Sequence, residues 1–153
     1  VERKEEEMNF VMDHIVLNCM DVEKEVDFYC NVFGFSPERL EMYRENRVPF
    51  PSVRINADTI IDLFPRDIWG GGQERERGTT NLNHFCLAVK KEDFTKLVER
   101  LDELGIMIEQ GPVERWGAHG TGISVYFCDP EQNLIEIRYY PNGDGPAICL
   151  LGT

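Results

Sequence analysis

Basic residues are outnumbered in this chain: 16 Lys and Arg stand against 28 Asp and Glu in 153 residues, a formal charge of −12. No basic cluster is present. Neutralising a phosphate backbone needs one, so a nucleic-acid partner is excluded. Long apolar runs are missing too. None approaches the roughly 18 residues that cross a bilayer, and no membrane association is expected. Cysteine pairs are also lacking. Cys19, Cys30, Cys86, Cys128 and Cys149 are odd in number, and no two have C-x-x-C spacing. A disulfide framework and a cysteine-rich zinc site are disfavoured, and a reducing, cytoplasmic setting is expected. No signal-peptide pattern is seen. Gly70-Gly71-Gly72 precedes no helix and no Lys-Ser/Thr, which removes a phosphate cradle.

What is present is a repeat. Met12-Asp13-His14-Ile15-Val16-Leu17 opens the first half, and Leu82-Asn83-His84-Phe85-Cys86-Leu87 opens the second. The histidines are 84 − 14 = 70 residues apart. Each half closes on an apolar strand with one acid inside it, Ile60-Ile61-Asp62-Leu63-Phe64 and Leu134-Ile135-Glu136-Ile137. These acids are 136 − 62 = 74 residues apart, so four residues inserted in loops account for the difference. A carboxylate inside an apolar strand is expensive to bury unpaired. A divalent cation held by two histidines and one or two carboxylates would neutralise both acids. Mixed nitrogen and oxygen donors suit Zn, Ni, Mn, Fe or Co. The simpler reading is a salt bridge to Arg54 or Arg138.

The apolar content of 42% is enough for a core. Residues 12–19 read as a strand. Asp21 reads as the N-cap of a helix in which Val22, Val26, Tyr29, Val32 and Phe33 recur at helical spacing up to Gly34. Strands are expected at 38–45, 50–56 and 59–64. The second half reads as a strand at 83–89 and a helix at 91–104 ended by Gly105. An extended segment at 106–114, a loop at 115–122 and strands at 123–128 and 134–140 follow. Asp129-Pro130-Glu131-Gln132-Asn133 reads as the turn between the last two. Residues 1–9 are expected to form a flexible extension, 66–80 a linker, and 141–153 a tail whose apolar end packs on this subunit or a partner.

Three stretches carry a family resemblance: Asp13-His14-Ile15-Val16, Val26-Asp27-Phe28-Tyr29 ahead of Phe33-Gly34-Phe35, and Tyr126-Phe127-Cys128-Asp129-Pro130-Glu131-Gln132-Asn133-Leu134-Ile135-Glu136-Ile137. They resemble the vicinal oxygen chelate superfamily, which includes glyoxalase I, fosfomycin-resistance thiol transferases, bleomycin-resistance proteins and extradiol dioxygenases. Glu109 to Tyr140 is similar to the subgroup with glyoxalase domain-containing protein 5 and bacterial virulence proteins. The resemblance covers about residues 10–140. It implies an α+β fold, a single domain of two βαβββ modules at 10–65 and 81–140. These would form a cupped, partly open mixed sheet, with helices outside, around one divalent metal.

On that pattern His14, His84 and Glu136 are the implied ligands. Asp62 stands where glyoxalase I has its other metal-binding Glu. The shorter side chain departs from that enzyme, whose proton shuttle uses both glutamates; in the thiol transferases three ligands suffice. The resemblance implies a small-molecule substrate, electrophilic catalysis of the lyase or isomerase type, and a homodimer. Glu136 or Asp62 could act as general base. His119, between Gly117 and Gly120, is a candidate for catalysis or substrate contact, or else an exposed loop histidine. Arg138 is a candidate for binding an anionic substrate group, or it pairs with an acid. Trp116 either lines the pocket or caps an apolar edge. Cys86, Tyr126 and Tyr140 read as packing residues. The alternative function is metal-free binding of a small molecule, as in the drug-sequestering members.

Overall fold

Apolar residues over 14–18 form strand β1 (His14–Asn18), and Asp21 then opens helix α1 (Val22–Phe33). The Asp21 carboxylate accepts the Lys24 amide at 3.1 Å, satisfying a donor the helix leaves free. Gly34 stops the helix at φ 73°, a left-handed position glycine takes without Cβ crowding. The structure, a computed structural model, describes residues 12–70, 82, 84–117, 119–142 and 146. The expected extension at 1–9, the linker beyond residue 70 and most of the tail lie outside the described residues. Among the described residues no helix is long and apolar enough to cross a membrane.

The chain forms two compact units, and residues 31–33 are counted with the second. The first unit continues from α1 through β2 (Ser36–Glu38), α2 (Leu40–Arg44), β3 (Ser52–Arg54), β4 (Ile60–Phe64) and α3 (Arg66–Trp69). Its sheet has the order β1-β4-β3-β2, with β1 parallel to β4 and the other pairs antiparallel. Leu17, Val26, Tyr29, Val53, Ile61 and Leu63 are among its buried apolar residues. Two sequence expectations fail here. Residues 38–45 are not one strand: β2 ends at Glu38 and a one-turn helix follows. That helix is pinned by Arg44, which bridges Glu41 at 2.5 Å and Glu23 on α1 at 2.7 Å. Residues 66–69 are helical rather than linker, with the Trp69 indole donating to the Cys19 carbonyl at 3.2 Å.

The second unit consists of β5 (Phe85–Ala88), α4 (Lys91–Glu103), β6 (Gln110–Gly117), β7 (Gly120–Cys128) and β8 (Leu134–Tyr139). Its sheet order, β5-β8-β7-β6, repeats the first, again with the opening and closing strands parallel. Phe94, Leu97 and Leu101 form the buried face of α4, and Phe94 meets Tyr139 of β8 edge-on. Gly105 follows α4 at φ 69°, in the expected stop position. The expected turn at 129–133 is built on Asp129, whose carboxylate accepts the amides of Glu131 and Asn133, each at 2.9 Å. The expected loop at 115–122 is instead the end of the β6–β7 hairpin, with Arg115 opposite Gly122 and Trp116 opposite Thr121. Glycines there weakened the strand signal, but backbone pairing needs no side-chain pattern. Together these are two four-stranded mixed sheets with helices, an α+β glyoxalase-like fold.

Candidate functional site

The duplicated topology places the repeated side chains in the same register. In the first unit Val16 lies opposite Asp62 on the parallel neighbour, so His14 is two residues from the acid's partner. In the second unit Cys86 lies opposite Glu136, so His84 is again two residues from the acid's partner. Side chains two apart share a face of the sheet. Each unit therefore presents one imidazole and one carboxylate together.

A second repeated feature surrounds each acid. Ser52 lies opposite Asp62 on the antiparallel strand and donates its hydroxyl to Oδ1 at 2.5 Å. Tyr126 lies opposite Glu136 and donates its hydroxyl to Oε1. Both hydroxyls stand ten residues before the acid they serve. Tyr126 is thus a hydrogen-bond partner of the acid as well as a packing residue, and Ser52 is a residue the sequence reading missed. The spacing of ten is shared, but it becomes visible only once strand register sets each hydroxyl opposite its acid.

The surroundings otherwise differ. His14 is half exposed, and its Nδ1 lies 2.6 Å from Asp13 Oδ1. That bond, chiefly, raises the His14 pKa; slight burial opposes it and the nearby Asp62 charge adds to it. With Nδ1–H donated to Asp13, the neutral ring keeps its lone pair on Nε2, the arrangement by which a carboxylate orients a metal-ligating histidine. Asp62 is buried, and Arg54 does not serve it, since that guanidinium pairs with Glu38.

Glu136 and Arg138 are each only 3% exposed, and Arg138 Nη2 reaches Glu136 Oε2 at 3.1 Å. Burial pushes the Glu136 pKa up. Hydrogen bonds from Cys86, Tyr126 and Arg138, with the Arg138 charge, outweigh that and hold it below the ordinary carboxylate value. Tyr126 is pushed up, first by burial, then by its bond to Glu136 and the charge there. The Cys86 residue surface is exposed, yet protein packed around the thiol, and next Glu136, push its pKa up to about 12. That shift disfavours the thiolate and leaves the thiol a donor toward Glu136. His84 is exposed and sets its ring edge-on to Tyr126 at 5.6 Å.

Arg138 makes the acid pairing that was one of its two readings. Its guanidinium also donates to the Trp116 carbonyl at 2.9 Å. Trp116 itself is 82% exposed, so it caps no apolar edge within its unit. His119 is exposed at the hairpin end; its backbone amide donates to the Tyr140 hydroxyl at 3.2 Å and its ring meets Tyr140 edge-on.

The donor chemistry suits a divalent cation. Each unit offers an exposed imidazole beside a carboxylate that retains lone pairs after its hydroxyl bond. Each unit alone supplies two such donors, and among the described residues no three His, Cys, Asp or Glu side chains gather to hold one ion.

Known proteins share this fold. The profile of the Glyoxalase/Bleomycin resistance protein/Dioxygenase superfamily matches residues 11–137. Virulence protein STM3117 of Salmonella typhimurium is 32% identical over 130 residues, covering 84% of this chain and 83% of that protein. Its crystal structure superposes with a TM-score of 0.69 at 28% identity, over 88% of this chain and 99% of that one. Lactoylglutathione lyase of Neisseria meningitidis is 28% identical over 136 residues, 86% of this chain and 91% of that enzyme. Fosfomycin resistance protein FosX of Listeria monocytogenes is 24% identical over 127 residues, 83% of this chain and 87% of that protein. A variant of that FosX, solved with Mn(II) and a dihydroxypropylphosphonic acid, shares the fold at a TM-score of 0.56 and 23% identity, over 95% of this chain and 98% of that one.

Proposed function

This chain belongs to the Glyoxalase/Bleomycin resistance protein/Dioxygenase superfamily, and from that premise we propose that it is a divalent-metal-dependent enzyme acting on a small oxygen-bearing substrate. Lyase or isomerase chemistry of the glyoxalase type comes first; thiol transfer and ring-cleaving oxygenation are the less favoured branches. The observation that carries the proposal is the repeated register, which sets an imidazole and an acid on one face of each sheet. The similarity to a lactoylglutathione lyase supports the reaction class.

In this reading His14, His84 and Glu136 hold the cation, and Asp62 either completes the set or accepts a proton from substrate. When bound, such a cation polarises a substrate oxygen and stabilises negative charge developing there. The chain's own groups prepare for that. Asp13, bonded at Nδ1 of His14, favours Nε2 as the ligand atom. Ser52 and Tyr126 each hold one oxygen of their acid; the second oxygen of Glu136 is taken by Arg138, so a cation there would share that carboxylate with the guanidinium. Glu136, kept ionised by its donors, is poised as a ligand; Asp62, served by one hydroxyl, is the better placed general base. Trp116 and His119, exposed on the hairpin, are proposed substrate contacts. Homodimer assembly and a cytoplasmic location belong to the same proposal; sedimentation and fractionation test them.

The deciding experiment is elemental analysis of protein purified without chelator, followed by a metal-resolved activity screen. The expected content is about one divalent ion per chain, lost in His14→Ala and Glu136→Ala. The screen covers methylglyoxal–glutathione adduct, fosfomycin with thiols, and catechols. Metal well below one per chain, not restored by Zn, Ni, Mn or Fe, overturns the proposal in favour of metal-free sequestration. Bound metal with no turnover on all three substrates retains the site and rejects these reaction classes.

A further inference from the structure

We propose that Arg138 is a positioning residue that locks the carboxylate of Glu136 to the end of the β6–β7 hairpin, so that acid and hairpin keep or lose their geometry together. The proposal rests on the reading of Glu136 as a metal ligand.

The guanidinium is buried, so water does not compete for its donors. Nη2 donates to Glu136 Oε2 at 3.1 Å and to the Trp116 carbonyl at 2.9 Å. Nη1 reaches the Tyr140 hydroxyl at 3.3 Å and the Arg115 carbonyl at 3.4 Å. The Tyr140 hydroxyl in turn accepts the His119 amide at 3.2 Å. One planar cation thus connects an acid in the middle of the sheet to the first arm of the hairpin at 115–116 and, through Tyr140, to its turn at 119. Burial of the Trp116 side chain does not hold the hairpin, because the indole is 82% exposed. Its carbonyls are held instead. An ammonium group cannot substitute, since one point charge does not meet an acid, a hydroxyl and two carbonyls at fixed angles.

A guanidinium beside a ligand carboxylate acts on a cation in two opposed ways. Its charge repels the ion and competes for the same oxygens. Its fork holds the carboxylate in a single orientation. Partners that orient ligands govern affinity at many metal sites, and in this chain the same fork also anchors backbone, so orientation prevails. The sign of the Arg138→Lys effect separates the two.

The test uses the full chain. In metal-free protein, amide hydrogen exchange is followed across 110–122 in wild type, Glu136→Gln, Arg138→Lys and Tyr140→Phe. Each variant is expected to speed exchange at the hairpin end, Glu136→Gln acting through Arg138 without touching the hairpin. Affinity for Mn(II) is then measured by chelator competition, and Arg138→Lys is expected to weaken it about tenfold. Unchanged exchange in Glu136→Gln and Tyr140→Phe overturns the proposal, as does tighter Mn(II) binding in Arg138→Lys. Should Arg138→Lys fail to fold, Tyr140→Phe carries the affinity measurement: weaker binding supports the coupling and equal binding refutes it. A wild type that binds no metal refutes the ligand reading of Glu136, while the exchange data still decide whether acid and hairpin are coupled.

Discussion

Replacing Glu136 with Leu isolates the cost of the buried polar network. Leucine nearly conserves volume, so packing changes little. Two things are lost. Arg138, 3% exposed, keeps its charge where water does not reach it. Tyr126 loses the acceptor of its hydroxyl. Breaking one side of a buried ion pair costs about 3–5 kcal/mol, and an orphaned buried hydroxyl adds about 1–3 kcal/mol. The remaining bonds of Arg138 to the Trp116 and Arg115 carbonyls offset part of this. The net destabilisation is about 4 kcal/mol, a large share of the 5–15 kcal/mol that a domain commonly has. At about 2–4 °C per kcal/mol for a domain of this size, the melting temperature falls by about 8–16 °C. Glu136→Gln retains an oxygen for both donors and loses about half as much. Urea unfolding in EDTA, with calorimetry alongside, measures both variants free of metal. Glu136→Leu within about 1 kcal/mol of wild type refutes the reasoning, since a residue this buried could then be removed at the cost of a surface substitution. Recovery of most of the loss in Glu136→Leu/Arg138→Met assigns the cost to the stranded guanidinium.

Further outcomes follow from the other groups. The folded His14 pKa lies above the ordinary value of 6.5, chiefly through its bond to Asp13. Protonation therefore favours the fold: the contribution is complete below the unfolded pKa and is lost as pH rises through the folded one. An NMR titration of the metal-free protein shows the raised midpoint, and Asp13→Asn brings it back toward the ordinary value; a midpoint that does not move contradicts the assigned cause. Because protons compete for the imidazole, metal binding weakens as pH falls through that same midpoint, read by chelator competition at several pH values. Asp129 is 2% exposed and accepts three bonds, from the Glu131 and Asn133 amides and from Asn133 Nδ2 at 2.8 Å. Asp129→Ala is expected to cost about 2–4 kcal/mol in urea unfolding, with Asn restoring part of it; a loss below about 0.5 kcal/mol would show that the turn closes without its carboxylate.

Local signals were the legible part of the fold. Asp21 caps α1, Gly34 ends it, and Asp129 builds the last turn because each acts on backbone a few residues away. The His14/Asp62 and His84/Glu136 pairs were legible because a duplication writes its own check. What failed was set by distant partners. Leu40, Met42 and Arg44 alternate like a strand, yet Arg44 bonded to Glu23 across 21 residues favours a turn of helix. Trp69 has no periodicity to announce a helix, but its indole bonds the Cys19 carbonyl 50 residues away. The hairpin at 115–122 was concealed by Gly117, Gly120 and Gly122, which carry no strand pattern. At the site, Ser52 was silent because a lone serine signals nothing until strand register sets it opposite Asp62.

The common register also sets how the two halves can diverge. Among the described residues Asp62 has one hydroxyl and no guanidinium bonded to it, whereas Glu136 has a hydroxyl and Arg138, so the two copies of the motif differ in how their acids are served. Each acid is tuned from strands of its own sheet. Exchanges at 52 alter the donor to one acid and exchanges at 138 alter a donor to the other. Duplication thus supplies a repeated scaffold on which the surroundings of the two acids can change separately.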